Sequence, residues 1–281
     1  MFTVCSKWNT AMSVSKAITL EQLKERIATF ETRPQLTDSE AERPVAGYLA
    51  TPRGYVHEIF ADSVMNTGAA FGFALAQART MLSPERPGLL ILQLKGDEQE
   101  LGLPYGLGFS SFGLDATAFV LIRTDTIVEL LWALEEAITC RAVGAIVADI
   151  AYPHKALDFT ASRRLALRTA ASGAALFLVR YARDREATAA RYRWRVEPQV
   201  SASLPFDDRA PGPPRWLLTL EKGSLMGRKS TPQGEHYLVD LTENGLVHAD
   251  IAGRDRSSAS GDAALSSAAL AALGDRLPQA G

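Results

Sequence analysis

From Tyr55 to Tyr181 the chain alternates short, mainly apolar runs with longer stretches whose apolar positions recur every three or four residues. The runs are VHEIFA, with Val56, Ile59 and Phe60, then LLILQL (Leu89–Leu94), AFVLIR (Ala118–Arg123), VGAIVADI (Val143–Ile150) and AALFLVRY (Ala174–Tyr181). Each has strand length, and apolar content throughout predicts burial on both faces. Between them, Ala70, Phe73, Ala74, Gln77, Ala78, Met81 and Leu82 recur at helical spacing after Gly68. Leu130, Leu131, Leu134, Ala137 and Ile138 make a second stripe, which Asp125 or Thr126 caps. ASRRLALRTAASG predicts a third helix, with Leu165 and Leu167 inside, Arg163, Arg164 and Arg168 outside, and Gly173 as its C′ residue. A short helical piece is expected near Gly108–Phe112. Strands alternating with helices predict an α/β fold, with a central mostly parallel, twisted sheet covered on both faces.

After Tyr181 the rhythm changes. RYRWRV (Arg191–Val196), RWLLTLEKG (Arg215–Gly223), EHYLVDL (Glu235–Leu241) and GLVHADI (Gly245–Ile251) are strand-like, with no helical stretch between them. They predict an antiparallel C-terminal extension closed by a hairpin at Asn244-Gly245. Upstream, Leu20, Leu23, Ile27 and Phe30 form one apolar helical face behind the capping box Thr19–Gln22, and residues 33–54 form a linker. Ser, Ala, Gly and Asp dominate from Ala252 onward, with Leu265, Leu270 and Leu273 on one face of a short helix that suits partner contact. The expected division is an N-terminal helix and linker over 1–48, a core over 49–251 and a flexible tail over 252–281.

Composition changes little in this picture. The 281 residues carry a net charge of −2, which removes a global field toward nucleic acid. Two distant cysteines, Cys5 and Cys140, give neither a disulfide framework nor a zinc pattern and fit a reducing cytoplasm. No apolar run is long enough for a transmembrane helix, and the N-terminus lacks a signal-peptide core, so no membrane partner is expected.

The candidate chemistry gathers behind the first strand. Strand, turn and helix N-terminus form a frame that presents N–H groups to a phosphate. Asp62, Asn66, Thr67 and Gly68 occupy the turn, yet the Lys and the Gly-rich spacing of a nucleotide loop are missing. Asp149 ends the fourth run where a Mg²⁺-orienting carboxylate would stand, or simply caps the next turn. Glu98 and Glu100 lie in a Gly-flanked loop, poorly placed for a general base. Phosphoryl transfer depends on positioning and charge neutralisation, so the expectation is a nucleotide-site remnant without turnover, cofactor or metal. His57 is expected to be half-buried on the first strand, and His154, His236 and His248 share no ligand spacing. No G-x-S-x-G elbow occurs.

A second candidate is basic. Arg180, Arg183, Arg185, Arg191, Arg193 and Arg195 fall within sixteen residues, interleaved with Tyr181, Tyr192 and Trp194. Read as a hairpin, Arg183, Arg185, Arg191, Arg193 and Tyr192 suit single-stranded DNA through phosphate pairing and base stacking. Read as a solvated strand face, the same pattern places Tyr192, Trp194 and Val196 in the core.

The order of these elements resembles the RecA recombinase core. The strings VHEIFA, GAAFGFALA, PGLLIL, GLPYGLGFSSFGLD, LLWALEEAI, AIVADI, LDFTASRRLALRTAASG, AARYRWRV and PRWLLTLEKG are similar to the ImuA family of SulA/RecA-like inducible-mutagenesis proteins, over about Val45 to Ile251. That resemblance implies a RecA-like core and an accessory role in SOS-inducible translesion synthesis. The implied partners are an ImuB-type Y-family-like subunit and an error-prone DnaE-type polymerase, with RecA a further contact. In RecA-like ATPases a glutamate ending the second core strand activates water; the matching position here falls near Gln93 to Lys95. The alternatives are a RecA-type ATPase with a divergent nucleotide site and a SulA-like inhibitor of a filament-forming protein.

Overall fold

The structure, a computed structural model, describes residues 49–249 apart from 50, 116–118, 204–206, 208 and 224–234. The expected N-terminal helix and the tail with Leu265, Leu270 and Leu273 lie outside the described residues.

The apolar runs become β1 (Val56–Ala61), β2 (Gly88–Leu94), β3 (Phe119–Thr124), β4 (Val143–Ile150) and β5 (Ala175–Tyr181). β6 (Tyr192–Gln199), β7 (Arg215–Lys222), β8 (His236–Thr242) and β9 (Gly245–His248) follow. The helices are α1 (Thr67–Thr80), a single turn α2 (Glu98–Leu101), α3 (Ile127–Thr139) and α4 (Phe159–Ser172). Among the described residues the strands form one nine-stranded sheet in the order β3-β2-β4-β5-β1-β6-β7-β8-β9. The expected α/β class, mostly parallel sheet and antiparallel C-terminal strands are present. One strand differs from expectation: β6 runs parallel to β1, and the antiparallel part begins only at β7.

Side-chain alternation sends successive residues of each strand to opposite faces. Ala145 and Val147 of β4, Phe177 and Val179 of β5, and Ile59 of β1 pack with α1. Ile146, Ala148, Leu176, Leu178 and Val56 pack with α3 and α4. The central parallel strands are thus covered on both faces; β3, expected to be equally buried, is instead an edge strand with no fully buried residue and Val120 56% exposed.

The helix boundaries have local causes. Thr126, not Asp125, caps α3, in a reciprocal capping box with Glu129. Asp158 caps α4 by accepting from the Ala161 N–H at 2.7 Å, and Gly173 ends it at φ 76°. α1 is buried well beyond a stripe, with every residue from Gly72 to Ala78 buried. It is held between the sheet and the 3₁₀ segment Gly106–Phe112, and a Cβ at Gly72 would lie 3.2 Å from the Phe112 ring. The Trp216 indole of β7 donates to the Ala69 carbonyl of the same helix at 3.0 Å.

Leu167 corrects the sequence expectation. Leu165 is fully buried, whereas Leu167 is 63% exposed. Two residues apart on a helix is about 200° of rotation, so the pair cannot share a face. Leu165→Ala should lower stability by about 2–5 kcal/mol in urea unfolding, and Leu167→Ala by no more than about 0.5 kcal/mol. Equal losses would show that the outer face of α4 is covered.

Candidate functional site

β1 ends at Ala61, and the chain turns through a 3₁₀ piece, Val64–Asn66, into α1. Ser63 fixes that turn by accepting from the Met65 N–H at 3.2 Å. The Thr67 hydroxyl donates to the Val64 carbonyl, and Asn66 makes no side-chain cap. The strand–turn–helix frame is therefore built, with Thr67 and Gly68 at the helix start.

A pocket of about 280 Å³ opens beside it. Thr67, Gly68, Phe71 and Leu75 of α1 form one wall, and the segment from Leu101 to Phe112 forms the other. Gln93 of β2 and Asp149 of β4 complete the lining. In a parallel sheet this end, outside the carboxyl termini of the strands, is where ligands bind. No Lys or Arg lines the pocket.

Asp149 is 1% exposed and faces α1. It accepts from the Tyr181 hydroxyl at 2.7 Å and from Gln93 Nε2 at 3.2 Å. Burial dominates its electrostatics and raises its pKa from 3.8 to about 6; the two hydrogen bonds oppose the shift, and Asp97 adds to it. Burial, then the neighbouring Asp149, pushes the Tyr181 hydroxyl well up. Asp149 does not cap the following turn. Asp97, from the turn before α2, does so by accepting from the Ala151 N–H at 2.9 Å. Glu98 and Glu100 lie on α2 rather than in an irregular loop, and Glu98 pairs with Arg123.

Of the five turn and strand positions read as a nucleotide-site remnant, Thr67, Gly68 and Asp149 meet at this pocket. Asp62 does not. It pairs with Arg185 at 3.1 Å and Arg195 at 2.7 Å. Asn66 is half-buried at the start of α1 and does not line the pocket. Sequence reasoning missed the Asp149–Tyr181 pair, Asp97 and the Leu101–Phe112 wall.

The basic segment is not a hairpin. β5 and β6 flank β1 and run parallel to it, so residues 182–191 cross over from one side to the other. The crossover passes on the α4 face, where the Ala189 N–H donates to the Ser162 hydroxyl at 3.0 Å. Tyr192, Trp194 and Val196 are core, as the strand-face reading expected. Tyr192 cannot stack on bases from there, since its ring lies parallel to His57 at 4.8 Å. Arg180 and Arg193 reach the buried Glu58, Arg193 at 2.9 Å. Arg185 pairs with Glu221 at 3.0 Å as well as with Asp62. Of the five residues suited to DNA, only Arg183 and Arg191 are exposed.

His57 is fully rather than half buried, stacked between Phe177 and Tyr192. Burial lowers its pKa to about 4, against the opposing bond from Nε2 to the Pro52 carbonyl. No group of three or more His, Cys, Asp or Glu with metal-binding geometry occurs among the described residues. No helix among them is long and apolar enough to cross a membrane.

These features define an α/β protein with a phosphate-loop-like frame at the carboxyl edge of its sheet and an apolar, cation-free pocket in place of a phosphate cradle. No protein-family model matches the sequence. The chain is 30% identical over 182 residues to Protein ImuA of Caulobacter vibrioides in two strains, an alignment spanning 61% of this chain and 70% of each relative. The chain belongs to the ImuA family.

Asp149 and His57 have opposite pH signatures. Asp149 holds a proton in the folded state between pH 3.8 and about 6 that the unfolded chain releases, so its contribution is present below 3.8 and is lost as pH rises through 6. His57 lacks a proton between about pH 4 and 6.5 that the unfolded chain binds, so stability rises with pH there. Each spans about 3 kcal/mol. Asp149→Asn should therefore make stability climb more steeply from pH 4 to 6 than in the wild type, and His57→Phe should make it climb less. Urea midpoints across that range check both, and parallel curves for variant and wild type would contradict the shifts.

Proposed function

We propose that this chain is a non-catalytic accessory protein of SOS-inducible translesion synthesis, built on a RecA-like core whose nucleotide site has lost its chemistry. It scaffolds an ImuB-type Y-family-like subunit and an error-prone DnaE-type polymerase, with RecA a further contact. Family membership supports the setting in damage-induced mutagenesis. Strand order supports the RecA-like core: β1 lies inside the sheet, feeds a turn and a buried helix, and the C-terminal strands extend the sheet beyond β6.

The observation that carries the non-catalytic reading is the lining of the pocket. Triphosphate chemistry needs cations or a metal clamp on the transferring group. This lining offers no Lys or Arg, and its one carboxylate is buried between Tyr181 and Gln93. Gln93, an amide, stands at the end of β2, where a glutamate base would be needed.

Equilibrium binding of labelled ATP with Mg²⁺, followed by phosphate release, tests this. No saturable binding at sub-millimolar nucleotide and no turnover are expected. Mg²⁺-dependent turnover abolished by Asp149→Ala would instead establish a RecA-type ATPase with a divergent site. In cells, deleting the gene should reduce damage-induced mutagenesis.

Single-stranded DNA is a further proposed partner, and contact with it falls to Arg183 and Arg191. Reversing both charges should then weaken oligonucleotide binding several-fold and flatten its salt dependence by about two counterions. Wild-type binding that is absent, or unaltered by the reversal, would remove DNA from the partners.

A further inference from the structure

Three polar atoms deep between α1 and the sheet have no hydrogen-bond partner among the described residues: His57 Nδ1, Gln77 Nε2 and Trp194 Nε1. Their side chains are 0%, 1% and 1% exposed. The fold brings them into one patch. His57 lies opposite Tyr192 in the β1–β6 register, and Ile59 lies opposite Trp194. Ile59, Tyr192 and Trp194 face α1, and His57, two residues before Ile59, shares that face. α1 runs back along β1, its last residue, Thr80, accepting from Arg53 ahead of the strand. Phe73 of α1 stands edge-on to the Trp194 ring at 6.0 Å. Gln77 is one helical turn further back, about 5.4 Å. Two strand residues span about 6.6 Å, so Gln77 stands over the Tyr192–His57 pair. Two adjacent residues hold two of the three side chains. The Thr51 hydroxyl donates to Gln77 Oε1 at 2.7 Å, and the Pro52 carbonyl accepts from His57 Nε2 at 3.2 Å.

Those two bonds fix what each unpaired atom can do. A carbonyl only accepts, so the His57 ring carries its proton on Nε2, and Nδ1 is a bare acceptor. Burial keeps the ring neutral. Gln77 turns its carbonyl oxygen to Thr51, which leaves Nε2 as a donor. The Trp194 indole N–H only donates. An occupant must therefore accept from two N–H groups and donate to one ring nitrogen. A metal cation would face two donors, and a carboxylate or halide has no proton for Nδ1. Water meets all three demands, and three bonds is the usual number for a buried water. Buried polar groups in folded proteins are rarely left unpaired. We propose that His57, Gln77 and Trp194 form a closed binding site for one internal water molecule, which clamps the segment entering β1 to α1 and β6. Through the bonds to Thr51 and Pro52 the site fixes the chain's approach to the strand that carries Glu58.

The test is solution NMR on the full chain, uniformly labelled with ¹⁵N, near neutral pH. Trp194→Phe and Gln77→Met identify the indole and amide signals by their loss. In the wild type, the Trp194 Nε1–H and the Gln77 Nε2–H should each show a cross-peak to water of opposite sign in NOESY and ROESY spectra. That sign change marks a bound water rather than proton exchange. Long-range ¹⁵N correlations should show His57 protonated on Nε2, with Nδ1 bare. His57→Phe removes the acceptor and keeps both donors, so it should reduce the Trp194 cross-peak several-fold. The proposal is overturned if either the indole or the amide lacks a bound-water cross-peak, or if the His57 proton sits on Nδ1. A coupling across a direct Gln77 Nε2–H to Nδ1 hydrogen bond would overturn it as well, because no water then lies between them. So would a cross-peak of full strength in a folded His57→Phe chain. Should that variant fail to fold, the wild-type spectra decide alone.

Discussion

A carboxylate in the middle of a parallel sheet needs positive charge from both sides, and Glu58 imposes that need. It lies on β1, 1% exposed, with β5 on one flank and β6 on the other. An ion so buried is tolerated only when it is paired. Arg193 arrives from β6 in register with Glu58 itself, and Arg180 from β5 in register with Phe60, two residues on along the same face. Arg185 completes the group, its guanidinium 4.2 Å from the centre of the Phe60 ring. Both flanking strands must therefore deliver an arginine to the same face. That fits β6 lying parallel to β1, and the crossover between β5 and β6 running over the α4 side.

The same constraint explains what could be read in the chain and what could not. Near-continuous apolar runs identified β2, β4 and β5, which are covered on both faces, and the edge strand β3, whereas β1 was read from Val56, Ile59 and Phe60 around the polar pair His57 and Glu58. The Arg-aromatic alternation identified β6 as a strand with Tyr192, Trp194 and Val196 inside. It was silent on direction, since a period of two is the same in a hairpin arm and in a parallel neighbour. The ten residues from Ala182 to Arg191 are too few to advertise a crossover helix, so the segment looked like a turn. The basic residues then looked free, although their partners Glu58, Asp62 and Glu221 lie far away in sequence.

The site was legible in part for a related reason. Asp149 stood out as the polar end of an apolar run. Gln93 and Tyr181 are also polar residues near the ends of such runs, and all three have the phase that faces α1. That shared phase was the available signal for a common site. Its other wall, Leu101 to Phe112, carries no periodicity and gains meaning only through folding against α1. One sheet thus separates two chemistries. The face toward α4 holds balanced ion pairs around Glu58, and the face toward α1 ends in an apolar, acid-floored pocket.

The hydrogen bond from the Leu49 N–H to the Leu246 carbonyl, 2.9 Å long, sets how this body would respond to mechanical load. It joins the chain leading into β1 to the outermost strand, β9. A pull applied between these two points would meet that lateral bond first. β9 is four residues long and pairs with one strand only, β8, and its perpendicular antiparallel bonds can open one after another like a zipper. β1 is gripped by parallel neighbours on both sides, so drawing it out along its axis strains many bonds at once in shear. A tethered assembly pulling on this protein would thus peel its C-terminal meander, a compliant outer layer, while the stiff centre that carries Glu58 and the pocket kept its shape.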